Sequence, residues 1–381
     1  MSGLRSNLFL VALGLSLLGL VMIYSATYRE VGTGVLFVRI GHMVLGVAAF
    51  FVASRVRYTA WRKYAPALYL IVLVGLVLVL VPEVGTQING ARRWLDLGPM
   101  SIQPAEFAKL AAILALSCAV ARLPPGSRLP FKPIAAVGVL FGLVLVEPDF
   151  GTSVVLLAGA AGTLWASELR TRDLVLSGLA GSVAVAGMMV LEPYRRERFL
   201  TFLDPWSAAD GSGYQVVQSM VAIKAGGFFG SGAGSGGQGP YVPELGTDMI
   251  FALIGEELGL IGMVAVIAAF GFIALAGLRI AMNAPSVMAR CVAAGLTTML
   301  TVQAIFNIGA AMVVLPLAGM TLPFVSYGGS SLLVCFAAVG ILYRISEDSE
   351  RAREIQPPKA ADTDSGRRHG GARYPRAVRG G

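Results

Sequence analysis

Residues 242–262 read VPELGTDMIFALIGEELGLIG, in which three carboxylates, Asp248, Glu256 and Glu257, lie in or beside an apolar run. No Lys, Arg or His lies within this stretch to neutralise them. Ionisable groups inside a bilayer are costly, and they are functional candidates by default. The stretch therefore predicts a membrane-spanning helix whose acidic residues are candidates for a functional role.

The whole chain has the composition of a polytopic membrane protein. Of its 381 residues, 56% are hydrophobic and 14% are charged, and the mean hydropathy is +0.72. Soluble domains carry roughly 25% charged residues. Apolar runs typical of membrane-spanning helices recur along most of the sequence. We predict an all-α polytopic membrane protein with ten spans, at residues 7–24, 34–53, 65–82, 104–121, 133–146, 150–166, 174–191, 248–275, 291–313 and 326–343.

The distribution of basic residues sets the predicted orientation. The N-terminus, the even-numbered loops and the C-terminal segment hold 21 of the 30 Lys and Arg residues, the odd-numbered loops hold seven, and two lie within spans. By the positive-inside rule, both termini are cytoplasmic. This placement explains the net charge of +8 without nucleic-acid binding.

The long loops face outward in this topology. Residues 1–343 are predicted to form one membrane domain, and residues 344–381, rich in Gly, Pro and charge, a disordered cytoplasmic tail. Residues 83–103 and 192–247 form the long outward loops, the second of them between spans seven and eight. Its Gly-rich run, residues 224–240, fits both a flexible linker and a phosphate cradle. The sequence thus predicts chemistry on the outer side.

Basic residues cluster near the outer end of span four. Glu106 and Lys109 are three residues apart, so they either pair with each other or leave Lys109 facing a cavity that holds an anionic ligand. Upstream, the adjacent Arg92 and Arg93 offer two guanidinium groups of the kind that clamps a diphosphate. Trp94 is also typical of a membrane-interface anchor.

Two further motifs interrupt the predicted spans. EPDFGTS, residues 147–153, follows a span too short to cross the hydrocarbon, so Asp149 is expected below the outer surface, foremost as a helix cap. FVSYGGSS, residues 324–331, follows a Pro-containing segment and predicts a broken, re-entrant start of span ten. Ser330 and Ser331 there would cap amides or contact a ligand.

The acids of the opening stretch divide by depth. Asp248 lies at the outer start of span eight, where it would act either as a helix cap or as a base that accepts a proton. Glu256 and Glu257 lie about 12–14 Å deeper if the stretch is helical. At 100° per residue the three cannot line one cavity unless the helix breaks. The two glutamates are expected to pair with polar groups of other helices.

These motifs together resemble the SEDS family (shape, elongation, division and sporulation), of FtsW/RodA type. The resemblance covers nearly all of residues 7–345 and rests on five segments in order, namely NGARRWLDLGPMSIQPAEFAKL, EPDFGTSVV, FLDPWSAADGSGYQVVQSMVAIKAGGFFGSG, YVPELGTDMIFALIGEELGLIG and LPFVSYGGSSLL. FLDPW and the DGSGYQ segment are more similar to the FtsW branch than to the RodA branch.

The resemblance implies a peptidoglycan glycosyltransferase. Such an enzyme polymerises lipid II into β-1,4 glycan strands on the outer face of the cytoplasmic membrane, here for cell division. A RodA-type elongation polymerase, a lipid II flippase or transporter, and a scaffold that only recruits a partner are the alternatives. The implied partners are a class B penicillin-binding protein (a transpeptidase), other division or elongation proteins and membrane lipids, with no nucleic acid.

The resemblance also implies roles for particular residues. Asp248 matches the essential Asp of the family's P-E-x-H-T-D motif and would be the general base, although Gly246 stands where His is usual. Arg93 and Lys109 would neutralise the departing diphosphate. The other implied or predicted substrate-binding residues are Trp94, Glu106, Asp149, Ser330 and Ser331. The sequence shows no dedicated metal site, and a divalent cation, Mg²⁺ or Mn²⁺, is the one cofactor considered.

Overall fold

The computed structural model describes residues 2–31, 33–88, 90–96, 98, 101–211, 213–237 and 245–355. Within them the chain forms twelve α-helices and one small sheet. The helices are α1 Ser2–Val31, α2 Gly34–Arg55, α3 Trp61–Leu80, α4 Pro104–Val120, α5 Phe131–Val146, α6 Phe150–Trp165, α7 Thr171–Leu191, α8 Pro193–Leu203, α9 Tyr214–Gly226, α10 Ile250–Met282, α11 Val287–Ala311 and α12 Gly329–Ile355. The strands are β1 Gly85–Ile88, β2 Ala91–Asp96 and β3 Ser101–Ile102.

Each predicted span overlaps one helix, namely α1 to α7 and α10 to α12. Seven helices in the described part of the chain are long and apolar enough to cross a bilayer: α1, α2, α3, α7, α10, α11 and α12. The helices α5 and α6 are apolar but have only 16 residues each, and α4 has 17 and carries Glu106 and Lys109. The protein is therefore multi-pass, and the count of ten spans stays a prediction.

The prediction of an all-α chain is wrong for the first outward loop. Residues 85–102 contain a three-stranded antiparallel sheet in the order β1-β2-β3, in which Gly85 pairs with Leu95 and Asp96 with Ser101. The Asn-Gly pair between β1 and β2 is a strong hairpin signal that the apolar-span analysis passed over. The sheet presents part of the site described below.

The last helix is longer than predicted. Because α12 continues to Ile355, residues 344–355 are helical and are not part of a disordered tail. Ion pairs along the helix help to explain this, since Arg344 lies 2.9 Å from Asp348. The remainder of the predicted tail, residues 356–381, lies outside the described residues.

The second outward loop also has helical structure. Residues Tyr214–Gly226 form α9, which buries Val216 and Val217. The Ser219 hydroxyl donates to the carbonyl of Ala311 at the end of α11 (2.7 Å). The loop is thereby fastened to the helices below it.

The helix α10 breaks where the Gly-rich run meets it. Gly259 has φ 67° and ψ −163°, a conformation that is essentially open to glycine alone. The amides of Ser231 and Gly232 donate to the carbonyls of Glu256 and Glu257 at 2.9 and 3.0 Å. These bonds satisfy carbonyls that the interrupted helix leaves unpaired. Two backbone amides of the Gly-rich run therefore donate to carbonyls of α10, so they are not free to bind a phosphate.

We expect Gly259→Ala to destabilise the protein by about 1–3 kcal/mol. A Cβ at this position would lie 2.4 Å from the Gly230 nitrogen and 2.6 Å from the Phe228 carbonyl oxygen. Thermal unfolding of the purified protein in detergent measures the effect. Gly271→Ala in the same helix is the matched control, because a Cβ there meets no atom within 4 Å. Equal melting temperatures for the two variants would contradict the assignment of the break.

Candidate active site

A cavity of about 1060 Å³ is bounded by the sheet, the outward loops and the membrane helices. It brings together seven of the eight residues predicted for the site: Arg93, Trp94, Glu106, Lys109, Asp149, Asp248 and Ser331. The eighth, Ser330, is not among its lining residues, and its hydroxyl accepts a hydrogen bond from the backbone amide of Gln103 (3.0 Å). Seven of the eight predicted residues therefore line one cavity, and the role of each residue stays a prediction.

A non-helical segment between α11 and α12, residues 312–328, forms one wall of the cavity. This is the broken start of span ten that the prolines predicted. Phe324 in this segment has a φ of 66°, which is strained for a bulky residue. The fully buried Arg39 of α2 stabilises it, because one guanidinium nitrogen donates to the carbonyls of Phe324 (2.7 Å) and Val325 (3.1 Å).

A polar network lies at the buried side of the cavity. The Lys109 ammonium pairs with Glu106 (2.8 Å) and donates to the side-chain oxygen of Gln303 (2.9 Å). The Gln303 amide in turn donates to the carbonyl of Thr321 (3.0 Å), and the hydroxyls of Thr321 and Ser331 are 3.0 Å apart. The predicted pairing of Glu106 with Lys109 is therefore confirmed, and both residues line the cavity. Binding of an anionic ligand by Lys109 stays a prediction.

Arg93 joins the sheet to the turn between α5 and α6. Its Nε donates to the carbonyl of Glu147 (3.0 Å) and a terminal nitrogen donates to the carbonyl of Pro148 (2.5 Å). Arg92 does not line the cavity, because successive residues of a strand point to opposite faces. The predicted clamp of two adjacent arginines does not form, and Arg93 alone faces the site.

In the turn at residues 147–149 the side chains of Glu147 and Asp149 are buried, as the short preceding span predicted, whereas Pro148 is exposed. The Asp149 carboxylate caps α6 by accepting the amide of Thr152 (3.1 Å), which confirms the predicted cap. Its second oxygen accepts the side-chain amide of Gln103 (2.8 Å). Asp149 therefore holds both the start of α6 and the segment that leads into α4.

Asp248 is half-buried in the turn before α10. The N-cap position of α10 is Met249, the residue after Asp248, and it makes no side-chain capping bond. The two roles considered for Asp248, helix cap and base, stay predictions. A Cβ built on Gly319 would lie 3.6 Å from an Asp248 carboxylate oxygen and 3.8 Å from a terminal nitrogen of Arg198. Asp248 and Arg198 thus approach the same point of the cavity wall.

Glu256 and Glu257 are absent from the cavity lining. Each is 2% exposed, and the Ser25 hydroxyl of α1 donates to the Glu257 carboxylate. Gly236 of the Gly-rich run packs against the carboxylate of Glu256, which would lie 3.1 Å from a Cβ there. The prediction that these acids make structural polar contacts with other parts of the chain is confirmed for Glu257.

The sequence analysis missed three polar residues of the site. Gln303 and Asn307 lie four residues apart within an apolar helix, a pattern that marks one polar helix face and could have been recognised. Arg198 lies in the second outward loop, and no motif of the sequence analysis includes it. Its position beside Asp248 depends on where α8 lies in the fold, which no local pattern indicates.

Comparison with known proteins shows the family to which the chain belongs. The family model for FtsW, RodA and SpoVE, described as "Cell cycle protein", matches residues 5–351. This chain belongs to that family. The probable peptidoglycan glycosyltransferase FtsW of Coxiella burnetii is 39% identical, over 89% of this chain and 95% of the relative. Stage V sporulation protein E of Bacillus subtilis is 37% identical, over 90% and 96%.

Two solved structures share the fold of this family member. A chain of a peptidoglycan synthase complex that coordinates polymerization and crosslinking is 33% identical with a TM-score of 0.75, over 90% of this chain and 97% of that one. The rod shape determining protein RodA of Thermus thermophilus is 29% identical with a TM-score of 0.68, over 90% and 96%.

Glu147 predicts a pH dependence of stability. The side chain is fully buried in the turn between α5 and α6, and within the described residues neither carboxyl oxygen has a hydrogen-bond partner. Burial, and after it the negative charge of Asp149, raise the pKa of the Glu147 carboxyl from 4.5 to about 9 against the opposing effect of Arg93. The folded protein therefore keeps a proton that the unfolded chain releases above pH 4.5.

Stability should fall as the pH rises from about 4.5 to about 9, by at most roughly 1.4 kcal/mol per pH unit. Glu147→Gln mimics the protonated carboxyl and should flatten this dependence. Melting temperatures of the wild-type protein and the variant at pH 6 and pH 9 in detergent test the prediction. Identical pH dependences for the two proteins would refute it.

Proposed function

We propose that this chain is a peptidoglycan glycosyltransferase that polymerises lipid II on the outer face of the cytoplasmic membrane. The observation that carries the proposal is one cavity in which the Asp248 carboxylate and the cationic side chains of Lys109 and Arg93 meet. Full-length relatives named peptidoglycan glycosyltransferase support the same activity.

The Asp248 carboxylate serves as the general base. The 4-hydroxyl of the acceptor GlcNAc gives its proton to Asp248 while its oxygen forms a bond to C1 of the donor MurNAc. The bond from C1 to the diphosphate oxygen breaks, and undecaprenyl diphosphate leaves with the bonding electrons. Attack opposite the leaving group converts the α-diphosphate into a β-1,4 linkage. Diphosphate is a good leaving group, so the step needs no second carboxylic acid of the glycosidase type.

Cationic groups stabilise the charge that develops on the diphosphate. Lys109 is paired with Glu106, so this pair contributes directed N–H donors more than net charge. Arg93 is oriented by the two carbonyls that it contacts in the α5–α6 turn. Arg198 adds a third cation on the side of Asp248. Trp94, Asp149 and Ser331 complete the polar surface against the disaccharide.

The apolar part of the cavity accommodates the lipid. Val146 of α5, Val185 and Met189 of α7 and Phe306 of α11 line it. An undecaprenyl chain entering laterally between helices would contact this surface, while the diphosphate reaches the polar side. The described part of the second outward loop contributes to the outer side of the site, because Arg198 and Phe199 of α8 and Gln215 of α9 line the cavity.

The proposed membrane topology of the chain rests on its sequence, and its proposed partners rest on its similarity to known proteins. The chain crosses the cytoplasmic membrane ten times with both termini in the cytoplasm. It acts with a class B penicillin-binding protein, which the similarity to a chain of a peptidoglycan synthase complex supports, and with other division proteins. The described residues contain no group of three His, Cys, Asp or Glu side chains that could hold a metal ion.

A lipid II flippase is the second candidate, because a broken helix such as α10 and buried acids also suit transport. The two functions differ in their product. A polymerase makes glycan strands in detergent without a gradient, whereas a transporter leaves lipid II unchanged. A division role is favoured over elongation by the FtsW names of several relatives.

Asp248→Asn should abolish polymerisation, with a loss of at least about 10²-fold in rate, because the amide cannot accept the proton of the acceptor hydroxyl. Gel analysis of glycan strands made from lipid II by the purified protein, with and without its penicillin-binding partner, measures this. Glu256→Gln is the matched control, since Glu256 lies outside the cavity lining. Polymerisation by Asp248→Asn at the wild-type rate would refute the base assignment.

The double variant Glu106→Gln/Lys109→Met should lower kcat/KM for lipid II by about 10²-fold, because it removes N–H donors from the leaving diphosphate. Removing both partners together avoids leaving an unpaired buried charge. Initial rates over a range of lipid II concentrations measure the change. Lys132→Met, in the predicted inward loop, is the control, and an equal effect of the two would contradict the assignment.

A further inference from the structure

The turn that carries Asp248 is held through its backbone. The three consecutive carbonyls of residues 246–248 each accept one hydrogen bond from a different donor. These donors are the backbone amide of Tyr327 (2.8 Å), the hydroxyl of Ser326 (2.5 Å) and the side-chain amide of Asn307 (2.9 Å), in that order. Three successive backbone positions are therefore fixed from outside the turn.

The two side-chain donors are themselves fixed. The Asn307 amide nitrogen also donates to the carbonyl of Met320 (2.6 Å), so both of its N–H groups are used. The Ser326 hydroxyl also accepts the amide of Leu322 (2.8 Å). Asn307 is 2% and Ser326 4% exposed. The pair thus ties the 246–248 turn to α11 and to the 312–328 segment without solvent in between.

Gly246, which stands where His is usual in the family's motif, is the first residue of this turn. A Cβ built at this position meets no atom within 4 Å, and the contact that Gly246 makes to Tyr327 uses its carbonyl. The hydrogen bonds to the turn are therefore independent of the side chain at position 246. Loss of the usual His leaves the backbone support of Asp248 intact.

We propose that Asn307 and Ser326 are positioning residues for the glycosyl transfer, which hold the turn so that the Asp248 carboxylate meets the acceptor hydroxyl. This inference rests on the proposed function and adds to it. A base displaced by about 1 Å costs about 10²-fold in rate even when substrate still binds. Neither residue is among those that line the cavity, and both contact backbone carbonyls of the turn.

The test uses the full-length purified protein with its penicillin-binding partner and lipid II as substrate. Asn307→Ala and Ser326→Ala should each lower kcat, by about 10²-fold for Asn307→Ala, which loses both bonds, and by about 10-fold for Ser326→Ala. The KM for lipid II should stay within about threefold, because the groups assigned to the diphosphate are untouched. Melting temperatures separate this effect from a loss of folding.

Thr297→Ala is the matched control on α11. Its buried hydroxyl donates only within the helix, to the carbonyl of Ala293 (2.7 Å), and it is not part of the cavity lining. This variant should keep the wild-type kcat. If Asn307→Ala proves unfolded, Ser326→Ala decides the question by the same criteria.

A wild-type kcat for Ser326→Ala or for folded Asn307→Ala, or a rise in KM with kcat unchanged, would overturn the inference. Failure of the proposed function has a different signature. In that case the wild-type protein makes no glycan strands, or Asp248→Asn makes them as fast as the wild type.

Discussion

A bilayer offers no hydrogen bonds of its own, so partners within the chain are what stabilise the buried polar groups of this protein. The ammonium of Lys109 has such partners in Glu106 and Gln303. One guanidinium nitrogen of Arg39, which is fully buried on α2, donates to the carbonyls of Phe324 and Val325. Each of these contacts both satisfies a buried group and fixes a second segment of the chain, so the same bonds that permit burial also shape the cavity.

The chain departs from regular helix at Gly259 in α10 and at residues 312–328, and both interruptions depend on partners within the chain. The break in α10 at Gly259 is tolerated because the Gly-rich run supplies amides to the carbonyls of Glu256 and Glu257. The 312–328 segment is tolerated because side chains of α2 and α11 satisfy its carbonyls. Irregular backbone is what lets the chain place carbonyls, hydroxyls and a carboxylate around one cavity, which uninterrupted helices would not expose.

The position of Asp248 depends on the backbone of the turn that carries it. The turn before α10 holds the carboxylate at the cavity, and the support comes from backbone contacts to residues 246–248. A side chain at position 246 adds nothing to those contacts, so a Gly in place of the family's usual His is compatible with the same placement. Asp248 is thus positioned by α11 and the 312–328 segment, whereas Lys109 and Arg93 are positioned by α4 and the sheet.

Four features could be predicted from the amino-acid sequence: the membrane-protein class, the helices at all ten predicted spans, the Asp149 cap and the separation of Asp248 from Glu256 and Glu257. They depend on composition, apolar length and local capping, which are properties of neighbouring residues. Three contacts of the site required the folded structure: Arg93 faces the cavity without Arg92, Arg198 approaches Asp248, and the side chain of Asn307 donates to the carbonyl of Asp248 across 59 positions of chain. Such contacts join segments that are remote in sequence, and they exist only once helix packing has brought those segments together.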